Sequence, residues 1–116
     1  MQPGPLDQAA LDGLLATTDR EFVGELIDAY LEDSPALIAG MNEALANGNA
    51  TEFTRAAHSL KSSSASLGAM SLSALAKELE LLGKESKLTG AASKLEQLAS
   101  LFGQVQTALE EFKRGS

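Results

Sequence analysis

His58 is the only histidine in this chain of 116 residues, and there is no cysteine. That pairing excludes thiolate nucleophiles, disulfides, sulfur ligands for zinc, any site needing two imidazoles and most catalytic triads. A lone neutral imidazole can still attack phosphorus near neutral pH. Lys61, at i+3 on the same helix, could bring an ammonium close to a phosphoryl group on the ring, and Ser62, at i+4, is small enough to leave approach space. Ser62, Ser63 and Ser64 offer hydroxyl donors, or else return them to helix carbonyls. Taken alone, a helical histidine is more often an ordinary surface residue, and a lone lysine an ordinary solvated charge.

The elements that must position these groups are helical. Val and Ile occur only twice each, whereas Leu, Ala, Ser and Glu dominate, so β-propensity is low and the helical period carries the fold. Residues 50–66 read as one helix, opened by Asn49 with Glu52 three residues later and ended before Gly68. Its apolar row is Phe53, Ala57, Leu60 and Leu67, with Ser64 completing it. At about 100° per residue that row centres well over 90° away from His58. Thr51, Thr54, Arg55, Lys61, Ser62 and Ala65 share the His58 side, so the imidazole is expected to face outward.

Around that helix the sequence predicts an all-α fold. Met1 to Pro5 reads as a disordered lead, followed by a short amphipathic segment with Leu6, Leu11, Leu14 and Leu15 and with Asp7 as N-cap. Thr18 and Glu21 form a capping box for a helix carrying Phe22, Val23, Leu26, Ile27, Tyr30 and Leu31. Leu37, Ile38, Met41 and Leu45 continue that stripe beyond Pro35, which favours one kinked helix over two, and Asn47-Gly48 stops it. Ser71 opens a helix with Leu72, Leu75, Ala76, Leu79 and Leu82 on one face, closed by Gly83; residues 84–90 are a polar connection. The last helix carries Ala91, Leu95, Leu98, Phe102, Val105, Leu109 and Phe112. Four such helices joined by short turns make an antiparallel four-helix bundle over residues 6–113, with the short additional N-terminal helix across one end and 114–116 as a tail.

Composition narrows the partners. With 44% hydrophobic residues, the chain holds one domain and one core. Nine Lys and Arg against sixteen Asp and Glu leave a formal charge of −7, which makes nucleic acid and anionic membrane surfaces poor partners. No segment approaches the roughly 20 apolar residues of a membrane span, and the start lacks the pattern of a secretory leader. The expectation is a cytoplasmic monomer. Glu78, Glu80, Glu110 and Glu111 read as solvated carboxylates with no site, and Met41 and Met70 as core or rim filler.

The string Ala57-His58-Ser59-Leu60-Lys61-Ser62-Ser63-Ser64-Ala65-Ser66-Leu67-Gly68-Ala69, followed by Leu75, Leu79 and Glu80, resembles the histidine-containing phosphotransfer (HPt) domain of bacterial multistep phosphorelays. The resemblance implies that His58 accepts a phosphoryl group from a receiver-domain aspartate and passes it to another receiver. By the same resemblance Lys61 lies near the phosphoryl group and Ser63 is the small hydroxyl residue after it. Ser62 stands where the family usually has glycine, which narrows the approach to the ring. Arg55 and Ala65 complete the supporting set. The implied partners are response-regulator receiver domains and a hybrid sensor kinase. No cofactor is expected on this chain, because Mg²⁺ belongs to the receiver. A phosphocarrier of this kind is no enzyme and has no autokinase activity; the chain has no glycine-rich phosphate loop. The competing reading is a helical scaffold that docks partners without accepting phosphate.

Overall fold

The computed structural model describes residues 6–114, so the expectations for residues 1–5 and for Gly115 and Ser116 lie outside the described residues. Five α-helices follow one another: α1 (Gln8–Thr17), α2 (Arg20–Asn47), α3 (Ala50–Ser66), α4 (Met70–Lys84) and α5 (Ala91–Lys113), with a 3₁₀ turn at Leu88–Gly90 before α5. No strand occurs among the described residues. Helix α3 packs between α2 and α4, and α5 lies against both α2 and α4, which closes the four-helix bundle. Short turns between consecutive helices make neighbours antiparallel. Accordingly the end of α5 meets the start of α2, where Arg20 donates to the Phe112 carbonyl and Lys113 pairs with Asp28.

Local chemistry explains most of the boundaries. Asp7 and Asn49 cap α1 and α3 by accepting from the amides of Ala9 and Glu52. The capping box at Thr18 is not formed. The Thr18 hydroxyl bonds back to the Leu14 carbonyl at 2.7 Å and closes α1, while Asp19 caps α2 through the Phe22 amide at 2.7 Å. Helix α2 runs unbroken through Pro35, so the chain makes one long helix there. Its 28 residues span about 42 Å, matching the longest dimension of the molecule, 42 Å.

Three helices end in the same left-handed turn. After α3, the amide of Ala69 bonds to the Ser64 carbonyl and that of Gly68 to Ala65, a Schellman closure with Gly68 at φ 82°. Gly48 does the same after α2. After α4 the left-handed residue is Ser86 (φ 56°), with its amide on Gly83 and that of Lys87 on Leu82. The expected stop at Gly83 is therefore corrected: Gly83 lies inside α4 and is there for another reason, given below.

The core gathers Val23, Ile27, Met41, Phe53, Leu60, Leu72, Leu79, Leu98, Val105 and Leu109, all fully buried. Leu11 of α1 joins it, so the first helix is part of the same hydrophobic unit. Met41 is buried and Met70 half-exposed at 52%. Among the described residues no helix is long and apolar enough to cross a membrane.

Candidate functional site

His58 stands on α3 with 59% of its side chain exposed, on the face opposite Phe53, Ala57, Leu60 and Ser64, which are buried. The helical period set this orientation. Its Nδ1 lies 2.8 Å from Oε2 of Glu80 on α4. A carboxylate only accepts, so in the neutral ring Nδ1 holds the proton and donates it to Glu80, leaving the Nε2 lone pair free.

Glu80 is the centre of the arrangement. Its side chain is only 5% exposed, yet it accepts from His58 on one oxygen and from Lys61 Nζ, at 2.7 Å, on the other. Lys84, one turn on along α4, approaches Oε2 to 3.6 Å. The hydrogen bond from Lys61 lowers the Glu80 pKa from 4.5 to about 2; the His58 bond and the charges of Lys61 and Lys84 act the same way, and burial opposes them. A buried, ionised carboxylate is sustainable here because it is paired and hydrogen-bonded.

Close approach of α3 and α4 makes these contacts possible. A Cβ on Gly83 would fall 2.2 Å from Thr54 Oγ1 and 3.1 Å from Phe53 Cδ1, so only glycine lets the helices meet at this point. Thr54 is held in place by its bond to the Ala50 carbonyl at 2.7 Å. Two turns before Glu80 along α4, the Ser73 hydroxyl donates to the Lys61 backbone carbonyl at 2.9 Å and ties the helices again.

In front of the imidazole is an open pocket of about 610 Å³, lined by Thr51, Thr54, Arg55, Ser59, Gly83 and Lys84 together with His58 and Glu80. Of the residues singled out in the sequence, Lys61 joins His58 through their shared carboxylate and Arg55 lines the same pocket, paired with Glu52 at 3.2 Å. Ser62 is exposed on the His58 side, and Ala65 is half-buried further along. Ser63 is not brought to His58. It returns its hydroxyl to the Leu60 carbonyl and faces a groove against α2. Ser64 is buried and bonded to the Tyr30 hydroxyl at 2.8 Å, so it is a packing residue.

Glu80 is the residue that sequence reasoning passed over as solvated. The available signal was positional. It sits four residues after Ala76 and three before Gly83, at the margin of the apolar stripe of α4. Glu78, by contrast, is an exposed partner of Lys94 at 3.1 Å.

The Hpt domain family model matches residues 25–114. Among solved structures, histidine-containing phosphotransfer protein B (HptB) from Pseudomonas aeruginosa PAO1 superposes with a TM-score of 0.92 at 27% sequence identity, over 99% of each chain. No curated protein sequence matches. With that family match across most of its length and one bundle shared end to end, the chain belongs to the Hpt domain family, whose members serve histidine phosphotransfer in phosphorelays.

Proposed function

We propose that His58 carries the phosphoryl group, taking it from an aspartyl phosphate on one receiver domain and giving it to the aspartate of another. The observation that carries this reading is the placement of the sole imidazole: exposed, lining the open pocket, with Nδ1 bonded to buried Glu80. Nε2 supplies the electron pair for the new N–P bond, the P–O bond to the receiver's aspartate breaks, and its electrons leave with the carboxylate. The ring gains positive charge as it attacks. Glu80, already ionised and fixed against Nδ1–H, stabilises that charge without reorganising. Such transfers depend on positioning and charge stabilisation, which suits a module that completes no chemistry alone.

Glu80 acts through His58 and is a positioning residue. Lys61 and Lys84 keep it ionised and add positive charge beside the incoming phosphoryl group; Ser62 and Ala65 border the approach. Mg²⁺ enters with the receiver, and this chain supplies no ligand set for it in the proposed reaction. The module works as a cytoplasmic monomer between a hybrid sensor kinase and its receivers, and has no autokinase activity.

The test is transfer from phosphorylated receivers. The protein should acquire an acid-labile phosphate, His58→Gln should abolish it at unchanged helical content, and ATP with Mg²⁺ alone should leave the protein unlabelled. Label persisting in the His58→Gln protein would reject the assignment.

A further inference from the structure

Glu80 sorts the cations around His58. Lys61 holds Oε1 at 2.7 Å, while Oε2 accepts from His58 Nδ1 at 2.8 Å and has Lys84 at 3.6 Å, beyond hydrogen-bond reach. Arg55 and Lys84 line the open pocket together with the imidazole, and Lys61 does not. The Lys61 side chain is 28% exposed and that of Lys84 60%.

These positions give the two lysines different freedom. Lys61 is tied down twice, by its ammonium to an almost wholly buried carboxylate and by its backbone carbonyl to the Ser73 hydroxyl. Turning it toward a phosphoryl group on the ring would strand one oxygen of an ionised, desolvated carboxylate. Lys84 has no such obligation. Oε2 is already satisfied by Nδ1–H, so swinging the exposed ammonium away removes only a long attraction screened by solvent. Gly83, whose missing side chain lets α4 close on Thr54, delivers the next residue, Lys84, to the pocket edge. Arg55 is exposed on α3, and Glu52 at 3.2 Å offsets its charge.

We propose that phosphorylation of His58 divides the lysines: Lys84 leaves Glu80 and binds the phosphoryl oxygens, whereas Lys61 stays on Glu80 and acts as a positioning residue. The proposal deepens the phosphotransfer reading and rests on it. It departs from the family resemblance, which puts Lys61 beside the phosphoryl group. A phosphoryl group on Nε2 brings negative oxygens to a ring whose other nitrogen still donates to Glu80. An ammonium free to move is drawn to them more strongly than to a carboxylate that already accepts two hydrogen bonds. There Lys84 stabilises the charge that passes between ring and receiver.

The test labels the protein with phosphoramidate, from which Nε2 takes the phosphoryl group as ammonia leaves, and follows the lysine ammonium groups by ¹⁵N NMR. The Lys61 signal should be present and unmoved in both states, whereas the Lys84 signal should shift and gain protection from solvent exchange only on phosphorylation. With a saturating phosphorylated receiver, Lys84→Gln should slow transfer about tenfold and Lys84→Arg should restore most of the rate, with the His58 tautomer unchanged. Lys61→Gln should instead move the ¹³C titration of the Glu80 carboxyl upward and alter the tautomer ratio. Its cost in rate should largely vanish in a Glu80→Gln background, while that of Lys84→Gln should persist. Substitutions of exposed Lys84 leave the fold intact and carry the comparison alone should circular dichroism find Lys61→Gln unfolded. A Lys61 signal that moves on phosphorylation, a Lys84 signal that does not, or Lys84→Gln transferring at the unsubstituted rate would each overturn the proposal. Absence of any phosphoramidate label overturns the acceptor reading beneath it, whereas label with an unmoved Lys84 overturns this proposal alone.

Discussion

At His58 the chemistry turns on which ring nitrogen holds the proton. Glu80 decides this by accepting from Nδ1 at 2.8 Å. Replacing it with alanine frees both nitrogens to exchange the proton and should slow transfer by about 10–100-fold, as losses of histidine-orienting partners commonly do. Glu80→Gln keeps an acceptor and should recover much of the rate; ¹⁵N NMR of the imidazole, read beside the transfer rate, separates a shifted tautomer from a damaged fold. The same carboxylate makes stability depend on pH. Its folded pKa, about 2, lies below the ordinary 4.5, so its contribution is complete above about pH 4.5 and disappears as pH falls through about 2. Chemical denaturation between those limits should show a decline that Glu80→Gln removes.

At the scale of elements, the site exists because α3 and α4 approach closely. Gly83→Ala would drive a methyl into Thr54 Oγ1, which cannot swing away without giving up its bond to the Ala50 carbonyl. The expected loss is about 1–3 kcal/mol, typical of overpacking, and transfer should slow because Glu80 is pushed back from His58. Adding Thr54→Ala removes the nearest atom and should recover part of both, measured by denaturation and by transfer rate. Helix periodicity made much of this layer legible: the bounds of α3, the cap at Asn49 and the outward histidine all follow from residues within a few turns. Thr18 and Gly83 depart from the sequence reading for different reasons. Thr18 had an adjacent competitor, Asp19, and a carbonyl at Leu14 to satisfy; Gly83 looked like a stop, but its missing side chain serves a neighbouring helix.

Across the whole molecule, α1 is built into the bundle. Leu11 is fully buried, and the Asp7 amide reaches the Gly68 carbonyl at 2.6 Å, where a Cβ on residue 68 would meet the Asp7 carbonyl at 2.8 Å. Leu11→Ala should therefore lower global stability by about 2–5 kcal/mol, the range for a buried leucine. Urea unfolding should remain a single transition; separate melting of α1 would show that it is an independent cap.

Sequence alone determined which faces of the helices are apolar and that the one imidazole points away from the core, because both follow from a repeat that acts over neighbouring turns. It also carried the family resemblance in the string around His58. Only the tertiary structure decided that Glu80, 22 residues further along the chain, closes on Nδ1 and Lys61, and that Ser63 turns instead toward α2. Those contacts depend on how near two helices come and how each is rotated. That is set by the whole core and by a glycine's missing methyl group, and no local pattern encodes it.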